Sequence, residues 1–103
     1  RGLRPLSKPL THDAEENANH SIRYLIRALQ HCGEPGRRND ITVKLAAVYE
    51  RLGDLYTSTG RFTRAHQHYK QGVQLFQSIG DVQAASALAF RLGELFLARA
   101  RSS

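Results

Sequence analysis

Residues 49–72 read YERLGDLYTSTGRFTRAHQHYKQG, and residues 89–96 read AFRLGELF. Leu52-Gly53 followed by Tyr56 thus returns forty positions later as Leu92-Gly93 followed by Phe96. Each stands at a similar distance behind an aspartate, Asp40 or Asp81, suited to cap a helix start. Glycine inside a helix costs about 1 kcal/mol relative to alanine, so its reuse at one seat predicts a neighbouring helix in close approach there.

Working outward, helix two is predicted over about 41–58, with Ile41, Leu45, Val48, Leu52, Leu55 and Tyr56 spaced for burial. Gly60 ends it in a tight corner. Helix three begins near Phe62, presents Ala65, Tyr69, Val73 and Phe76 at steps of three or four, and stops at Gly80. Asp81 caps helix four, an Ala- and Leu-rich segment with Arg99 and Arg101 in its last turns, where cations suit the helix dipole. On the other side, GEPGRRN (residues 33–39) should break the chain before Asp40 caps helix two. Helix one is expected over about 12–32, capped by Thr11 or Asp13 and carrying Ile22, Leu25, Ile26 and Leu29 at helical spacing. Residues 1–10, with Pro5 and Pro9, read as a basic flexible tail and residues 11–103 as one helical domain. No period-two alternation marks a strand.

The chain has 103 residues, 41% hydrophobic and 23% charged, the size and composition of one folded domain. No apolar run approaches the roughly 20 residues of a membrane-spanning helix. The single cysteine, Cys32, excludes an internal disulfide framework and a cysteine-based zinc site, so an intracellular and most simply cytoplasmic location is expected, the nucleus remaining open. The start at Arg1, with no initiator Met and no signal-peptide pattern, suggests a processed product or an excised piece of a longer array. Fifteen Lys and Arg against nine Asp and Glu give a net charge of +6, but the cations are scattered rather than blocked.

Tyr49, Leu52, Gly53 and Tyr56, followed by Ala65 and Tyr69, resemble the tetratricopeptide repeat pattern W-x2-L-G-x2-Y…A-x3-F. Tyr stands at two seats usually filled by Trp or Phe, Gly72 stands where a small Ala is usual, and no proline closes the repeat. The forty-residue period is similar to the longer-helix variety of kinesin light chains and spindle-orientation adaptors, which often carry a corner like Gly80-Asp81. The resemblance covers about 41–98. In helix one, Ser21, Leu25 and Ala28 would take the seats of Ala65, Tyr69 and Gly72. It implies an all-α fold, antiparallel helix pairs stacked as a short solenoid of about four helices, and a protein-interaction or assembly function. A plain helical bundle is the alternative fold.

In such an array the first helix of each pair lines the concave side. Its exposed seats would be Ala47, Glu50, Asp54, Thr57 and Ser58, then Ala87, Phe90, Glu94 and Leu97. Glu50, Asp54 and Glu94 beside Phe90 make a candidate groove for a peptide or helix with basic and apolar anchors. Acids at Glu50 and Asp54 would repel the carboxylate-terminated chaperone tails that some members of the family hold. Helix four has little polar face, so Leu88, Leu95 and Leu97 mark a candidate assembly surface, covered by the second helix of the repeat if the chain is a piece of a longer array, and otherwise by a second copy or another protein. The alternative is a nucleic-acid-binding domain using Arg61, Arg64 and Lys70 on the convex side of helix three. No catalytic, cofactor or metal site is expected. His66 and His68 are two apart on a helix and cannot readily share a metal, and no phosphate loop or serine elbow is present.

Overall fold

The computed structural model describes residues 7–102, and among them there are four helices and no strand. They are α1 (Ser7–His31), α2 (Pro35–Ser58), α3 (Phe62–Ser78) and α4 (Val82–Ser102). Three-residue connections turn each helix back on the one before, and each packs on its neighbours in the chain, α1 on α2, α2 on α3 and α3 on α4. The result is a slab of 51 × 33 × 17 Å with a Cα radius of gyration of 15.3 Å, against about 13 Å for a compact domain of this length.

The corners after α2 and α3 are built alike. Gly60 and Gly80 hold φ of +77° and +75°, a left-handed conformation that strains any residue with a Cβ. At the first corner the Gly60 N–H donates to the Thr57 carbonyl at 3.1 Å and the Arg61 N–H to the Tyr56 carbonyl at 2.8 Å. At the second, Gly80 donates to Gln77 and Asp81 to Phe76, both at 3.0 Å. These are Schellman motifs, in which the residues past the helix end satisfy its last carbonyls. The next helix starts at once, and the Asp81 carboxylate accepts from the Ala84 N–H at 3.0 Å, the expected cap of α4.

Two expected starts move. The break before α2 is only residues 32–34, because Pro35 takes the first helical position, where its missing N–H costs nothing and its fixed φ suits the helix. Asp40 therefore lies on the exposed side of α2 rather than at its cap. Arg38 reaches back from this added turn and donates to the carbonyls of Leu29 (2.5 Å) and Cys32 (2.9 Å), closing the end of α1. Likewise α1 begins at Ser7 rather than near 12, so Thr11 and Asp13 sit within the helix and residues 7–10 are not a tail. Pro9 falls in the first turn, whose N–H groups have no intrahelical partner. Residues 1–6 of the expected tail lie outside the described residues.

The core runs between α2, α3 and α4. Ala46, Leu52 and Tyr56 meet Ala65, Tyr69 and Phe76, then Ala85, Leu88 and Leu95, with Ala18 and Ile22 of α1 packed at its edge, and Leu45 and Val48 of α2 are buried outside this cluster. Gly53 lies under the Tyr69 ring so closely that a Cβ there would collide with it. Gly72 lets α3 settle toward α4, since a Cβ at this point would stand 2.5 Å from Leu88 Cδ2. Gly93 differs from its counterpart Gly53: a Cβ there would meet nothing within 4 Å. Among the described residues nothing stands at the second glycine in the position that α3 takes on α2.

Candidate partner-binding groove

Glu50 and Asp54 stand one turn apart on α2, and the structure joins them through a residue the sequence reading placed only among scattered cations. Arg91, on α4, donates through Nη1 to both Asp54 oxygens at 2.7 Å and brings Nη2 to 3.4 Å from Glu50 Oε2. Tyr69 of α3 donates its hydroxyl to Asp54 Oδ1 at 2.5 Å, so three helices meet at one carboxylate. Burial and the acceptor at Asp54 together push the Tyr69 hydroxyl above its ordinary pKa. The hydrogen bond to Asp54 raises that of the Arg91 guanidinium. One guanidinium thus faces two of the three acids of the expected groove and offsets one of their two charges. The Arg91 and Asp54 side chains are partly exposed, so the pair is worth less than about 1 kcal/mol and acts mainly in setting position.

Phe90 and Leu97 on α4 are 69% and 61% exposed and flank exposed Glu94 on one side of the helix. Glu94 also lines a shallow cleft with Arg91, Thr57 and Asp54. Asp54 lines a second, more apolar cleft between α1 and α2, with Ala14, Ala18, Leu52 and Ser58, and Ala47 lines its continuation toward Tyr24 and Leu25. The Arg91–Asp54 pair is thus the divide between two hollows. The α1–α2 hollow was invisible in the sequence, since it depends on where α1 crosses α2. The signal for Arg91 was its place beside Phe90 and three residues before Glu94, the cation within reach of α2.

The assembly surface expected on α4 is corrected in two of its three members. Leu88 and Leu95 are buried in the core, and only Leu97 is exposed. The Ala- and Leu-rich composition did not reveal that these leucines are used up by α3.

Arg61, just before α3, and Arg64, in its first turn, approach Glu15 of α1 at 3.5 and 3.8 Å, and Tyr56 donates to the same carboxylate at 2.5 Å. Arg64 also lies over the Tyr56 ring, 5.9 Å from its centroid. Lys70 is exposed at a polar hollow with His68 and Gln74. The three cations therefore share no single bare surface: two turn toward Glu15 and one stands apart. Glu15 thus ties α1 to α2 and to the start of α3.

Among the described residues no group of three His, Cys, Asp or Glu side chains could hold a metal ion, and no helix is long and apolar enough to cross a membrane. No protein-family model, curated protein or solved structure matches this chain.

Proposed function

We propose that this chain is a tetratricopeptide-like protein-interaction module that holds an extended or helical segment of a partner protein along the exposed α4 side carrying Phe90, Glu94 and Leu97. The observation that carries the reading is the exposure of two large apolar side chains, Phe90 and Leu97, on either side of a carboxylate. Isolated apolar side chains on a surface are ordinary, whereas a cluster rimmed by polar groups fits a binding surface. Arg91 already occupies Glu50 and Asp54, so a basic anchor of the ligand falls to Glu94 and the apolar anchors fall to Phe90 and Leu97. The family reading is supported by the burial of Leu52, Gly53, Tyr56, Ala65 and Tyr69, the seats on which the resemblance rests.

The test replaces Phe90 by a photo-crosslinking phenylalanine analogue and exposes the chain to cell lysate with and without nuclease. Proteins crosslinked at this position and lost from a Glu94→Arg/Leu97→Ser version that keeps its helical signal support the groove. Crosslinks that persist unchanged in that variant, or that vanish with nuclease, overturn it. Reversal of Glu50 or Asp54 is a poorer probe, because it would disrupt the contacts with Arg91 and Tyr69 that join the helices.

A further inference from the structure

The fold sorts the scattered cations into those it uses and those it leaves bare. Arg38 closes the end of α1, Arg61 and Arg64 face Glu15, and Arg91 faces Glu50 and Asp54. Arg23 and Arg27 on α1, and Lys44 and Arg51 on α2, are exposed, and none of the four has a carboxylate partner among the described residues. Acids are scarce around them. No Asp or Glu occurs from Asn17 to Gly33 or from Ile41 to Tyr49. Glu16 faces His12 at 3.7 Å, Glu50 and Asp54 face Arg91, and Asp40, a turn before Lys44, is the remaining acid of α2. Aromatic rings stand among these bare cations. Residues 20–27 read HSIRYLIR, so His20, Tyr24 and Arg27 fall at steps of four and three on one stripe of α1, with Arg23 beside it. Tyr24 is 70% exposed, so its ring is not used by the core. His20 and Tyr24 line a hollow of about 450 Å³ between α1 and α2 together with Lys44 and Arg51, and no acid lines it.

We infer that this face of α1 and α2 binds single-stranded nucleic acid, with one base stacked on Tyr24, a neighbouring base on His20, and phosphates against Arg23, Arg27, Lys44 and Arg51. Proteins that hold single strands without reading sequence combine a cationic track for the backbone with exposed rings for the bases, and both parts occur here on adjoining helices. The α3 cations from which such binding was expected are in part spent on Glu15, whereas these four are not. A duplex would hide the faces of its bases from Tyr24. An acidic peptide would use the same cations but would gain nothing from a planar ring that a leucine could not supply. Stacking and phosphate contacts ignore the 2′-hydroxyl, so RNA and DNA strands should bind alike. The face shares no residue with Phe90, Glu94 and Leu97, so either surface can bind without the other.

The probes are a fluorescein-labelled oligouridylate of about eight nucleotides and the matching oligothymidylate, titrated with the intact chain and followed by anisotropy at about 50 and 200 mM salt. Saturable binding of both strands is expected, weaker at the higher salt because each phosphate contact releases a counterion. Tyr24→Leu should weaken it at least about fivefold, while Tyr24→Phe, which keeps the ring, should stay within about twofold. Lys44→Ser and Arg51→Ser should each make the slope of log affinity against log salt shallower by about 0.7, and Lys70→Ser, on exposed α3, should leave it unchanged. All four positions are exposed, so the variants should keep the native melting temperature. Absence of saturable binding overturns the inference. So does a Tyr24→Leu affinity equal to that of Tyr24→Phe, or an effect of Lys70→Ser equal to that of Lys44→Ser, since the overall charge would then account for binding. Tighter binding of the hybridised duplex, or displacement of the strand by an equal concentration of a polyglutamate peptide of equal charge, also overturns it, the latter because the face would belong to an acidic protein.

Discussion

Gly53, Gly72 and Gly93, each well inside a helix, have side-chain environments that differ, and they separate helix propensity from packing at single residues. Replacing a helical glycine by alanine gains about 1 kcal/mol of propensity. At Gly93 nothing opposes that gain, so Gly93→Ala should raise stability by up to about 1 kcal/mol. At Gly72 the new methyl meets the end of the Leu88 side chain, which can turn aside, and the two effects should nearly cancel. At Gly53 it meets the face of a buried tyrosine ring held by its hydroxyl to Asp54, and overpacking of about 1–3 kcal/mol should outweigh the propensity gain. Gly53→Leu should be worse still. Urea denaturation of the four proteins checks the order, and an unchanged midpoint for Gly53→Leu would count against the packing described for α2 and α3. The sequence marked Gly53 and Gly93 as one recurring seat. It could not distinguish an occupied seat from a bare one, because occupancy depends on a second helix rather than on the residue.

Between elements, two tyrosine hydroxyls act as ties: Tyr56 to Glu15 across α2 and α1, and Tyr69 to Asp54 across α3 and α2. Burial first, and then these carboxylate acceptors, raise both phenols above their ordinary pKa. A phenol that keeps its proton to higher pH when folded than when unfolded stabilises the fold fully below about pH 10, the unfolded value. That contribution fades as the pH rises through the higher folded value, because the unfolded chain then binds fewer protons. Stability should thus fall above about pH 10, and the fall should be shallower in Tyr56→Phe/Tyr69→Phe, although each lost hydrogen bond costs about 1 kcal/mol at neutral pH. Urea midpoints from pH 8 to 11.5 test this; equal slopes in both proteins would show that the hydroxyls do not tie the helices. The helices themselves were largely legible. Gly60 and Gly80 announced the ends of α2 and α3, and Asp81 the start of α4. The starts of α1 and α2 were misplaced because proline and glycine were read as breakers, whereas the first turn of a helix has no N–H bond for proline to lose.

At the scale of the whole molecule the consequence is a linear order of contacts. A slab 17 Å thick, in which each helix leans on its sequence neighbours, lacks a single centre and has two ends of unequal attachment. At one end, α4 contributes Ala85, Leu88 and Leu95 to the core; at the other, among the residues whose burial is described, α1 contributes only partly buried apolar residues such as Ala18 and Ile22. What α1 has in addition is Glu15, which accepts from Tyr56 and faces Arg61 and Arg64. Repeat-like stacks open from their ends, with a local free energy set by the contact that must be broken. Glu15→Ala should therefore speed amide hydrogen exchange through α1 several-fold, corresponding to a loss of about 1 kcal/mol in its docking, with little change in α3 and α4. Faster exchange shared equally by all four helices would instead mean that the molecule opens as one unit, and that the stepwise packing seen along the chain does not divide its stability.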